Sequence, residues 1–539
     1  MKVLIIGGVA AGTKVAAKLK RENRDDEVTI LTEGKDISYA GCGLPYYVGN
    51  VIEHREDLIV NTPESFSKLT GANVFTEKRV TKVVPNEHYV EVLDLNTNDT
   101  LRYNYDKLVI ATGASPIKPP IEGIDLDGVF FMRTPEDAIK LKSAIKNKNY
   151  KRVSIIGGGF IGLEVAENLN DLGIRTTVID MADTVPPGFS KEFSEYILDN
   201  LAEYRIMTFT NTKLEKTIGE GKVEKIKTDK RAMKTDAVVL SIGIKANTEF
   251  LSDTDIELMP NKTIKVDEYF RTKYEDIYAL GDCATVTNKI TDKPAWSPMG
   301  STANISGRIL AKNINGENIK YGGVLGTAVA KLPNLNIGRT GLTEQEANKL
   351  GYDPISVVTV VDDKAHYYPD SSPFLVKMIA EKNNKKLLGL QVLGSGNVDK
   401  MIDIGVTAIT LGANLETISQ MDLAYAPPFS TAIHPFSHTV NVLLNKINNE
   451  FNTITPNEYS LGKTKNYKVL DVCLVPTLKD AKYVDLSSVE GEIDGFDKDD
   501  NILLVCNKGK RAYMLQNRLK HFGYKNTSVL EGGTIFNKL

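Results

Sequence analysis

Cysteine is scarce in this sequence, whose 539 residues include only four, at Cys42, Cys283, Cys473 and Cys506. So few cysteines in a long chain exclude a disulfide scaffold and indicate a reducing compartment, which we expect to be the cytoplasm. Long apolar runs are also missing, since none approaches the ~20 residues that a membrane-spanning helix needs. Met1 leads straight into a strand-like segment, so we expect no signal peptide and no association with a membrane.

A strong excess of charge of either sign is missing too. The 66 Lys and Arg residues nearly balance the 69 Asp and Glu residues, which gives a formal net charge of −3. Such a chain has no general attraction to nucleic acid, so we expect none as a partner. We also expect no metal site. The length is typical of three or four domains, each able to bury a core of its own.

Two glycine-rich segments carry the most informative pattern in the chain. Each follows a short apolar run, and the key positions are Gly7, Val9 and Gly12 in the first and Gly157, Gly159 and Gly162 in the second. A strand that leads through a tight glycine turn into a helix places backbone N–H groups against a pyrophosphate. Val9 takes the place of the middle glycine, which is tolerable if its side chain points away. The pair predicts two dinucleotides held at once, a bound flavin (FAD) and a diffusing nicotinamide.

Acidic residues follow the next strand after each glycine segment. Glu33 and Asp180 stand where a carboxylate accepts hydrogen bonds from adenosine ribose hydroxyls. The Asp180 carboxylate would also repel a 2′-phosphate, and Met181 offers no positive charge to receive one. The sequence therefore favours NADH over NADPH.

Later apolar strands end at further residues that suit a cofactor. One strand stops at Thr112 and Gly113, and another stops at Asp282, whose carboxylate suits a flavin ribityl hydroxyl. The second strand comes after the nicotinamide segment, so we expect a discontinuous FAD-binding domain with the NAD(H)-binding domain inserted in it. Both are predicted to be Rossmann-like α/β domains, the first formed by 1–112 and 247–322 and the second by 113–246.

The remaining third of the chain changes in character. Residues 323–445 show alternating apolar strands followed by helices and predict an α+β domain. The polar stretch 446–466 is interpreted as a linker. A small α/β domain is expected over 467–539.

Cys42 is the candidate redox residue. No second cysteine lies nearby to form a CxxxxC pair, so a redox couple would need a second sulfur from outside, or a sulfenic acid on Cys42. Cys42 also precedes a predicted helix, whose N-terminus is expected to lower the pKa of the thiol and favour the thiolate.

These motifs together resemble the flavin-dependent pyridine nucleotide–disulfide oxidoreductases. Similarity to the coenzyme A-disulfide reductase branch is carried by three features: the segment 38–47 around Cys42, Glu164 in the second glycine-rich segment, and the run 424–430. That branch includes forms fused to a rhodanese domain, which act as NADH-dependent persulfide or polysulfide reductases. The resemblance implies an enzyme that passes electrons from NADH through FAD and Cys42 to a coenzyme A disulfide, persulfide or polysulfide, releasing thiol or hydrosulfide.

The resemblance also implies residue roles. Coenzyme A contacts are expected at Lys14, Lys18, Arg21, Ser38 and Asn304, of which the first three share one face of a helix. Residues 323–445 would form a dimerisation domain, with Tyr367 and Tyr425 reaching the thiol site of the partner subunit. The chain is therefore expected to be a homodimer with a shared active site. Gly41, Ile433 and His434 depart from residues common in the branch, which leaves the strength of coenzyme A binding open.

The C-terminal domain resembles a truncated rhodanese domain. Cys506 opens a loop that ends at Arg511 and precedes a helix, an arrangement that can hold a persulfide among backbone N–H groups. The usual Asp-Val-Arg start reads Asp471-Val472-Cys473, and the Gly-His-Ile segment is missing. An active Cys506 that passes sulfur to Cys42 and an eroded domain that only packs both remain open.

Two other functions are compatible with the same two glycine-rich segments. An NADH oxidase or peroxidase would use a Cys42 sulfenic acid with oxygen or peroxide as acceptor. A non-catalytic redox sensor or sulfur carrier would turn over no NADH with any acceptor. Oxygen dependence and the acceptor range separate the three functions.

Overall fold

The computed structural model describes residues 1–539, which form two compact units. The first unit consists of Met1–Asp183 and Arg205–Val324, and the second consists of Thr184–Tyr204 and Leu325–Leu539. The helices are α1 (Ala10–Glu22), α2 (Leu44–Val48), α3 (Pro63–Thr70), α4 (Pro135–Lys148), α5 (Phe160–Asp171), α6 (Lys191–Glu203), α7 (Gly300–Ile314), α8 (Glu344–Lys349), α9 (Val398–Thr410), α10 (Leu415–Ser419), α11 (Pro435–Ile447), α12 (Pro456–Ser460), α13 (Lys510–His521) and α14 (Gly533–Phe536).

The strands of the first unit are β1 (Lys2–Ile6), β2 (Glu27–Leu31), β3 (Asn73–Phe75), β4 (Lys78–Val84), β5 (Tyr89–Asp94), β6 (Thr100–Asn104), β7 (Lys107–Ile110), β8 (Ala114–Pro116), β9 (Val129–Phe131), β10 (Arg152–Ile156), β11 (Arg175–Ile179), β12 (Met207–Phe209), β13 (Leu214–Ile218), β14 (Lys225–Thr228), β15 (Ala232–Lys234), β16 (Ala237–Leu240), β17 (Ile244–Ala246), β18 (Ile277–Ala279), β19 (Val286–Thr287) and β20 (Pro294–Ala295). Those of the second unit are β21 (Ala328–Leu332), β22 (Leu335–Gly341), β23 (Pro354–Asp362), β24 (Pro373–Glu381), β25 (Leu387–Gly394), β26 (Thr453–Ile454), β27 (Lys468–Asp471), β28 (Lys482–Tyr483), β29 (Asn501–Val505) and β30 (Asn526–Leu530).

A parallel sheet of order β18-β7-β1-β2-β3 organises the amino-terminal part of the first unit. Its central strand β1 is apolar because both faces are covered. Val3 and Ile5 pack with residues of α1 and α7 on one face, and Leu4 and Ile6 pack in a second core on the other. Strand β18 joins this sheet although it lies some 170 residues after β7, so the sheet is built from two separate pieces of the chain.

A second parallel sheet, of order β12-β11-β10-β16-β9, is built from residues 129–240. Each parallel sheet carries one glycine segment directly after its central strand, β1 or β10. The antiparallel pair β8–β17 joins the two stretches where the chain enters and leaves this part of the unit. The predicted fold class, with two Rossmann-like domains, a dimerisation domain and a rhodanese-like domain, is confirmed. No helix has the length and apolar character needed to cross a membrane.

Helix α6 departs from the predicted domain boundaries. Residues 113–246 were expected to form one domain, but Thr184–Tyr204 packs within the second unit. One cause is a buried ion-pair cluster, in which the Lys377 ammonium lies 2.6 Å from Glu192 at the start of α6 and 3.1 Å from Glu344. No local sequence pattern indicates a partner nearly two hundred residues away.

The second unit contains an antiparallel sheet of order β21-β22-β25-β24-β23 and a parallel sheet of order β26-β30-β29-β27-β28. The stretch 446–466, which was expected to be a linker, holds the end of α11, strand β26 and α12. Strand β26 pairs with β30 and so belongs to the carboxy-terminal sheet. The predicted linker differs from the structure because the polar residues of this stretch cap short helices and strands, as the Thr455 and Glu458 side chains cap α12.

A buried carboxylate fastens the carboxy-terminal sheet to the antiparallel one. The Glu531 side chain is fully buried and lies 2.6 Å from the Lys446 ammonium of α11. Glu531 also accepts hydrogen bonds from the Thr453 hydroxyl at 2.6 Å and from the Val358 amide at 2.8 Å. A buried charge with three partners holds a defined geometry, because losing any partner leaves a desolvated group unpaired.

Candidate active site

The first glycine turn has the geometry that a bound pyrophosphate needs. Gly7 has φ +111, and a Cβ there would lie 2.1 Å from the Ala111 carbonyl oxygen. A Cβ on Gly12 would lie 1.9 Å from the Gly7 oxygen, so the close contact between α1 and β1 requires glycine. Val9 occupies the N-cap of α1 at φ −100, outside the positive-φ region that favours glycine. The valine in place of the middle glycine is therefore compatible with the turn.

The second glycine turn repeats this geometry. Gly157 has φ +105 with its Cβ position 2.3 Å from the Ser241 oxygen, and a Cβ on Gly162 would lie 2.0 Å from the Gly157 oxygen. Gly159 has no atom within 4 Å of its Cβ position, so the N-terminus of α5 opens onto free space. Neither α1 nor α5 has a side-chain cap. Their first N–H groups are thus available for a phosphate, and both turns fit a dinucleotide.

The acids that follow the glycine turns have protein partners in this chain. The Asp180 carboxylate accepts hydrogen bonds from the Gly158 amide at 2.6 Å and the Ala182 amide at 2.7 Å, which holds it against the second turn. Glu33 is exposed and pairs with Arg79 at 2.6 Å. Both carboxylates lie at the carboxyl ends of their parallel sheets, where a ribose would be expected.

Two residues that sequence reasoning missed contact the remaining residues that were expected to bind a cofactor. The Arg133 guanidinium lies 2.5 Å from the Asp282 carboxylate. Asn247 accepts a hydrogen bond from the Thr112 hydroxyl at 2.7 Å through its carbonyl and donates to the Thr112 carbonyl at 3.0 Å. The Asn247 amide also bonds to the Gly113 carbonyl at 3.0 Å. Each partner lies more than a hundred residues away, so no motif could have indicated it.

Cys42 lies in a short 3₁₀ turn, Gly41–Gly43, that runs directly into α2. The residue is exposed, whereas Cys283, Cys473 and Cys506 are buried. The protein packed around its sulfur nevertheless disfavours the thiolate and raises the pKa of Cys42, and the Glu164 carboxylate adds to this rise. The expected lowering of the pKa is therefore wrong for the chain alone, because burial and the Glu164 charge outweigh the N-terminus of α2, a helix of only five residues.

Glu164 and Tyr46 form a polar pair beside Cys42. The Tyr46 hydroxyl donates to Glu164 Oε1 at 3.3 Å. Burial raises the pKa of Glu164 to about 7, and the charge of Glu167 adds to the rise while the Tyr46 hydrogen bond opposes it. Burial and the Glu164 charge raise the pKa of Tyr46 to about 12. Glu164 therefore exchanges its proton near neutral pH, within electrostatic range of the thiol.

The five residues expected to contact coenzyme A lie on α1, on α7 and in the loop after β2. The Lys14 side chain passes over Gly307 of α7, where a Cβ would lie 3.0 Å from Lys14 Cβ. The Lys18 ammonium forms an ion pair with Glu22. Arg21 and Asn304 bond only to carbonyls of their own helices, and Ser38 has a left-handed backbone with φ 50. All three basic side chains thus belong to α1, and an incoming phosphate would compete with Glu22 for Lys18.

Two tyrosines of the second unit also come together. Tyr367 and Tyr425 are exposed, and a hydrogen bond to Tyr425 raises the pKa of Tyr367. His434, by contrast, is buried at the N-cap of α11, where its Nδ1 accepts from the Phe436 amide at 3.2 Å. Burial lowers the pKa of His434 to about 4, so the histidine is neutral and acts as a helix cap.

The Cys506 loop is ordered by contacts on several sides. The Ala512 amide donates to Cys506 Sγ at 3.4 Å, and the Thr534 amide donates to the Cys506 carbonyl at 3.1 Å. Gly533 fits because a Cβ there would lie 2.0 Å from that carbonyl oxygen. Lys508 of the loop pairs with Asp362 at 2.5 Å. The loop thus has a defined conformation in spite of the shortened domain.

Comparison with known families agrees with this geometry. Residues 1–300 match the pyridine nucleotide-disulphide oxidoreductase family. This chain is a member of that family. Residues 327–435 match the dimerisation domain of the same family, and residues 455–534 match a rhodanese-like domain. Family membership implies FAD and NAD(P)H as cofactors, and the dimerisation domain indicates a homodimer.

Individual relatives differ in their names. The chain is 34% identical over 451 residues to an NADH oxidase of Methanocaldococcus jannaschii, covering 84% of this chain and all (100%) of the relative. It is 35% identical over 446 residues to the NAD(P)H sulfur oxidoreductase (CoA-dependent) of Pyrococcus furiosus, covering 82% and 99% of the two chains. The solved structure of an NAD-dependent persulfide reductase from A. fulgidus superimposes with a TM-score of 0.95 at 34% identity, covering 99% and 100%.

Proposed function

We propose that this chain is an FAD-dependent reductase that uses NADH to reduce a coenzyme A disulfide, persulfide or polysulfide through Cys42. The observation that carries the proposal is the exposed Cys42, beside which no second cysteine lies. A lone redox thiol completes its couple only with an external sulfur or as a sulfenic acid. The basic side chains of α1 and the attached rhodanese-like domain favour the external sulfur.

The proposed site residues fall into two groups, one that binds the cofactors and one that takes part in the sulfur chemistry. FAD is proposed to be bound by Gly7, Val9, Gly12, Glu33, the Thr112–Gly113 turn and Asp282. Gly157, Gly159, Gly162, Glu164 and Asp180 are proposed to hold the nicotinamide. When bound, the flavin supplies the two-electron chemistry that links a nicotinamide to a sulfur on Cys42. The Asp180 carboxylate supports NADH rather than NADPH, because it would repel a 2′-phosphate.

Cys42 is proposed to act as nucleophile towards the acceptor. Its thiolate attacks one sulfur of a disulfide or the sulfane sulfur of a persulfide and expels a thiolate. Glu164, whose pKa is raised to about 7, is suited to hold the proton that the leaving thiolate needs. The Tyr46 hydroxyl fixes the position of that carboxyl group. Burial and the Glu164 charge raise the pKa of Cys42, so neutralising Glu164 would favour the thiolate.

Coenzyme A is the proposed carrier of the acceptor sulfur. Lys14, Lys18 and Arg21 present positive charge on α1, beside Asn304 of α7, and Ser38 lies in the loop that leads to Cys42. The dimer would complete the site, with Tyr367 and Tyr425 of one subunit serving the thiol of the other. Their phenols, already paired with each other, can donate hydrogen bonds to a leaving thiolate.

Covalent trapping tests this assignment. The purified protein is incubated with coenzyme A disulfide without NADH, the free thiols are alkylated, and peptides are mapped by mass spectrometry. We expect Cys42 to carry coenzyme A as a mixed disulfide, while buried Cys283 remains a free thiol. Absence of the adduct, together with a sulfenic acid on Cys42 after exposure to oxygen or peroxide, would support an NADH oxidase instead.

A further inference from the structure

A second buried thiol, Cys473, lies at the same end of the carboxy-terminal sheet as Cys506. Strands β27 and β29 are parallel neighbours, with Asp471 opposite Val505. The Val472 amide continues the ladder by donating to the Val505 carbonyl at 2.9 Å. Cys506 follows β29 directly, and Cys473 follows β27 by two residues. Both cysteines therefore follow the carboxyl ends of adjacent parallel strands.

Further contacts fasten the two segments to each other. Arg511, at the end of the Cys506 loop, donates through Nε to the Val472 carbonyl at 2.8 Å. The Cys473 amide bonds to the buried Asp471 carboxylate at 2.9 Å. Burial raises the pKa of Cys473 to about 11, and hydrogen bonding to Asp471 and the charge of Cys506 add to the rise.

We propose that Cys473 is the resolving thiol for a persulfide formed on Cys506. The Cys506 thiolate attacks the outer sulfur of a low-molecular-weight persulfide, R–S–SH, and expels RSH. Cys473 then attacks Sγ of Cys506, forms a Cys473–Cys506 disulfide and expels hydrosulfide, which carries away the Cys473 proton. The two thiols lose two electrons, and the sulfane sulfur gains them as sulfide.

This proposal rests on the proposed function for the regeneration of the pair. Two coenzyme A thiols exchange with the Cys473–Cys506 disulfide, which restores both cysteines and produces coenzyme A disulfide. That disulfide is the acceptor proposed for Cys42, so NADH supplies the two electrons in the end. The rhodanese-like domain would then release hydrosulfide itself and need not pass a persulfide to Cys42.

The order of the steps follows from the surroundings of the two sulfurs. Cys473, whose pKa burial raises to about 11, is protonated at neutral pH and is therefore disfavoured as the first nucleophile. The Ala512 amide, which already donates to Cys506 Sγ, supplies an N–H group to the sulfur that carries the persulfide. Leu474 and Asn507, each next to one of the two cysteines, are exposed. Each buried cysteine is therefore directly followed by a solvent-exposed residue.

The test uses the full chain with Cys42→Ser, without NADH and without oxygen. One equivalent of coenzyme A persulfide is added, thiols are blocked with N-ethylmaleimide in acid, and peptides and hydrosulfide are measured. We expect a cross-linked Cys473–Cys506 peptide and about one hydrosulfide per chain, as the stoichiometry of the exchange requires. Adding Cys473→Ala should leave a persulfide on Cys506 and remove the stoichiometric hydrosulfide. Adding Cys283→Ala, a buried thiol elsewhere, should change neither readout.

Three results would overturn the proposal. They are a lasting persulfide on Cys506 with Cys473 intact, equal hydrosulfide release without Cys473, and no modification of Cys506 at all. The cross-linked peptide is sought in a chain that keeps Cys473, so a Cys473→Ala variant that fails to fold does not remove the test. Because the assay contains neither NADH nor Cys42, its outcome is independent of whether the flavin-dependent reaction occurs.

Discussion

At the scale of single residues, burial and the nearby charges together affect how readily Cys42 reacts. Burial raises the pKa of the thiol, the Glu164 carboxylate adds to the rise, and the Arg133 guanidinium lowers it. Arg133 is also paired with Asp282, so the charges near the thiol are linked to the residue expected to contact the flavin. Sequence reasoning found the thiol and both acids, but it missed Arg133 because 149 residues separate it from Asp282.

Removing the Glu164 charge should make Cys42 more reactive at a given pH. The change Glu164→Gln deletes a negative charge that destabilises the thiolate, so the pKa of Cys42 should fall. The measurement is the rate of iodoacetamide alkylation of Cys42 against pH, monitored by peptide mass. Arg133→Gln should move the same profile to higher pH, because Arg133 favours the thiolate. Identical profiles in both variants would contradict this account.

The same carboxyl group should also affect stability in a pH-dependent way. The pKa of Glu164 is raised from 4.5 to about 7, so the folded chain binds more protons than the unfolded chain between these values. The group therefore makes folding progressively less favourable as pH rises from 4.5 through 7, by an amount on the order of 3 kcal/mol. Glu164→Gln should raise Tm relative to the parent at pH 8 more than at pH 5. An equal difference in Tm at both pH values would contradict the assignment.

Asp180 should control the choice between the nicotinamide cofactors. Asp180→Asn keeps an oxygen that can accept from the Gly158 amide but removes the charge that repels a 2′-phosphate. A charge pair at close range is worth about 1 to 4 kcal/mol, so the kcat/KM ratio of NADH to NADPH should fall by about 10-fold. The measurement is steady-state kinetics with both cofactors. An unchanged ratio would show that Asp180 does not contact the ribose.

At the scale of elements, the two strand–turn–helix units account for most of what the sequence could predict. Apolar strands and tight glycine turns are local patterns, and the structure has both where the sequence indicated them. The stretch 446–466 and α6 could not be predicted in the same way. Strand β26 is two residues long and forms only by pairing with β30. Helix α6 is held in the second unit by the ion pair between Glu192 and Lys377. Pairing with a distant element leaves no local periodicity.

The two glycine turns should be separable by mutation. Gly162→Ala places a Cβ 2.0 Å from the Gly157 oxygen, which should distort the second turn and raise the KM for NADH at least about 10-fold, or roughly 1.4 kcal/mol. FAD should remain bound, because the first turn is untouched. Gly12→Ala should instead yield protein without yellow colour. Flavin absorbance and NADH kinetics distinguish the two, and loss of FAD from Gly162→Ala alone would contradict the assignment.

The basic side chains of α1 should affect the KM only of acceptors that carry coenzyme A. Lys14→Gln with Lys18→Gln should raise the KM for coenzyme A disulfide about 10-fold, since each phosphate contact contributes on the order of 1 kcal/mol. The KM for inorganic polysulfide should stay the same. Lys68→Gln, an exposed lysine on α3, serves as the matched control. Equal effects on both acceptors would mean that the lysines support the fold rather than coenzyme A.

At the scale of the whole molecule, the chain combines a flavin-binding oxidoreductase with a rhodanese-like domain that is fixed in place within the second unit. Glu531 contacts Lys446, Thr453 and the Val358 amide, and Lys508 pairs with Asp362. A domain joined only by a flexible linker would not need these contacts. A defined position suits a thiol pair whose product is consumed elsewhere in the same enzyme.

The central claim is that NADH reduces a sulfur acceptor through Cys42, and anaerobic turnover tests it most directly. Purified yellow protein is mixed with NADH and coenzyme A persulfide as the sole acceptor, and NADH loss and hydrosulfide are measured together. We predict that NADH loss equals hydrosulfide release in the parent chain, and that Cys42→Ser abolishes the NADH loss. No turnover until oxygen is admitted, or full turnover in Cys42→Ser, would contradict the account.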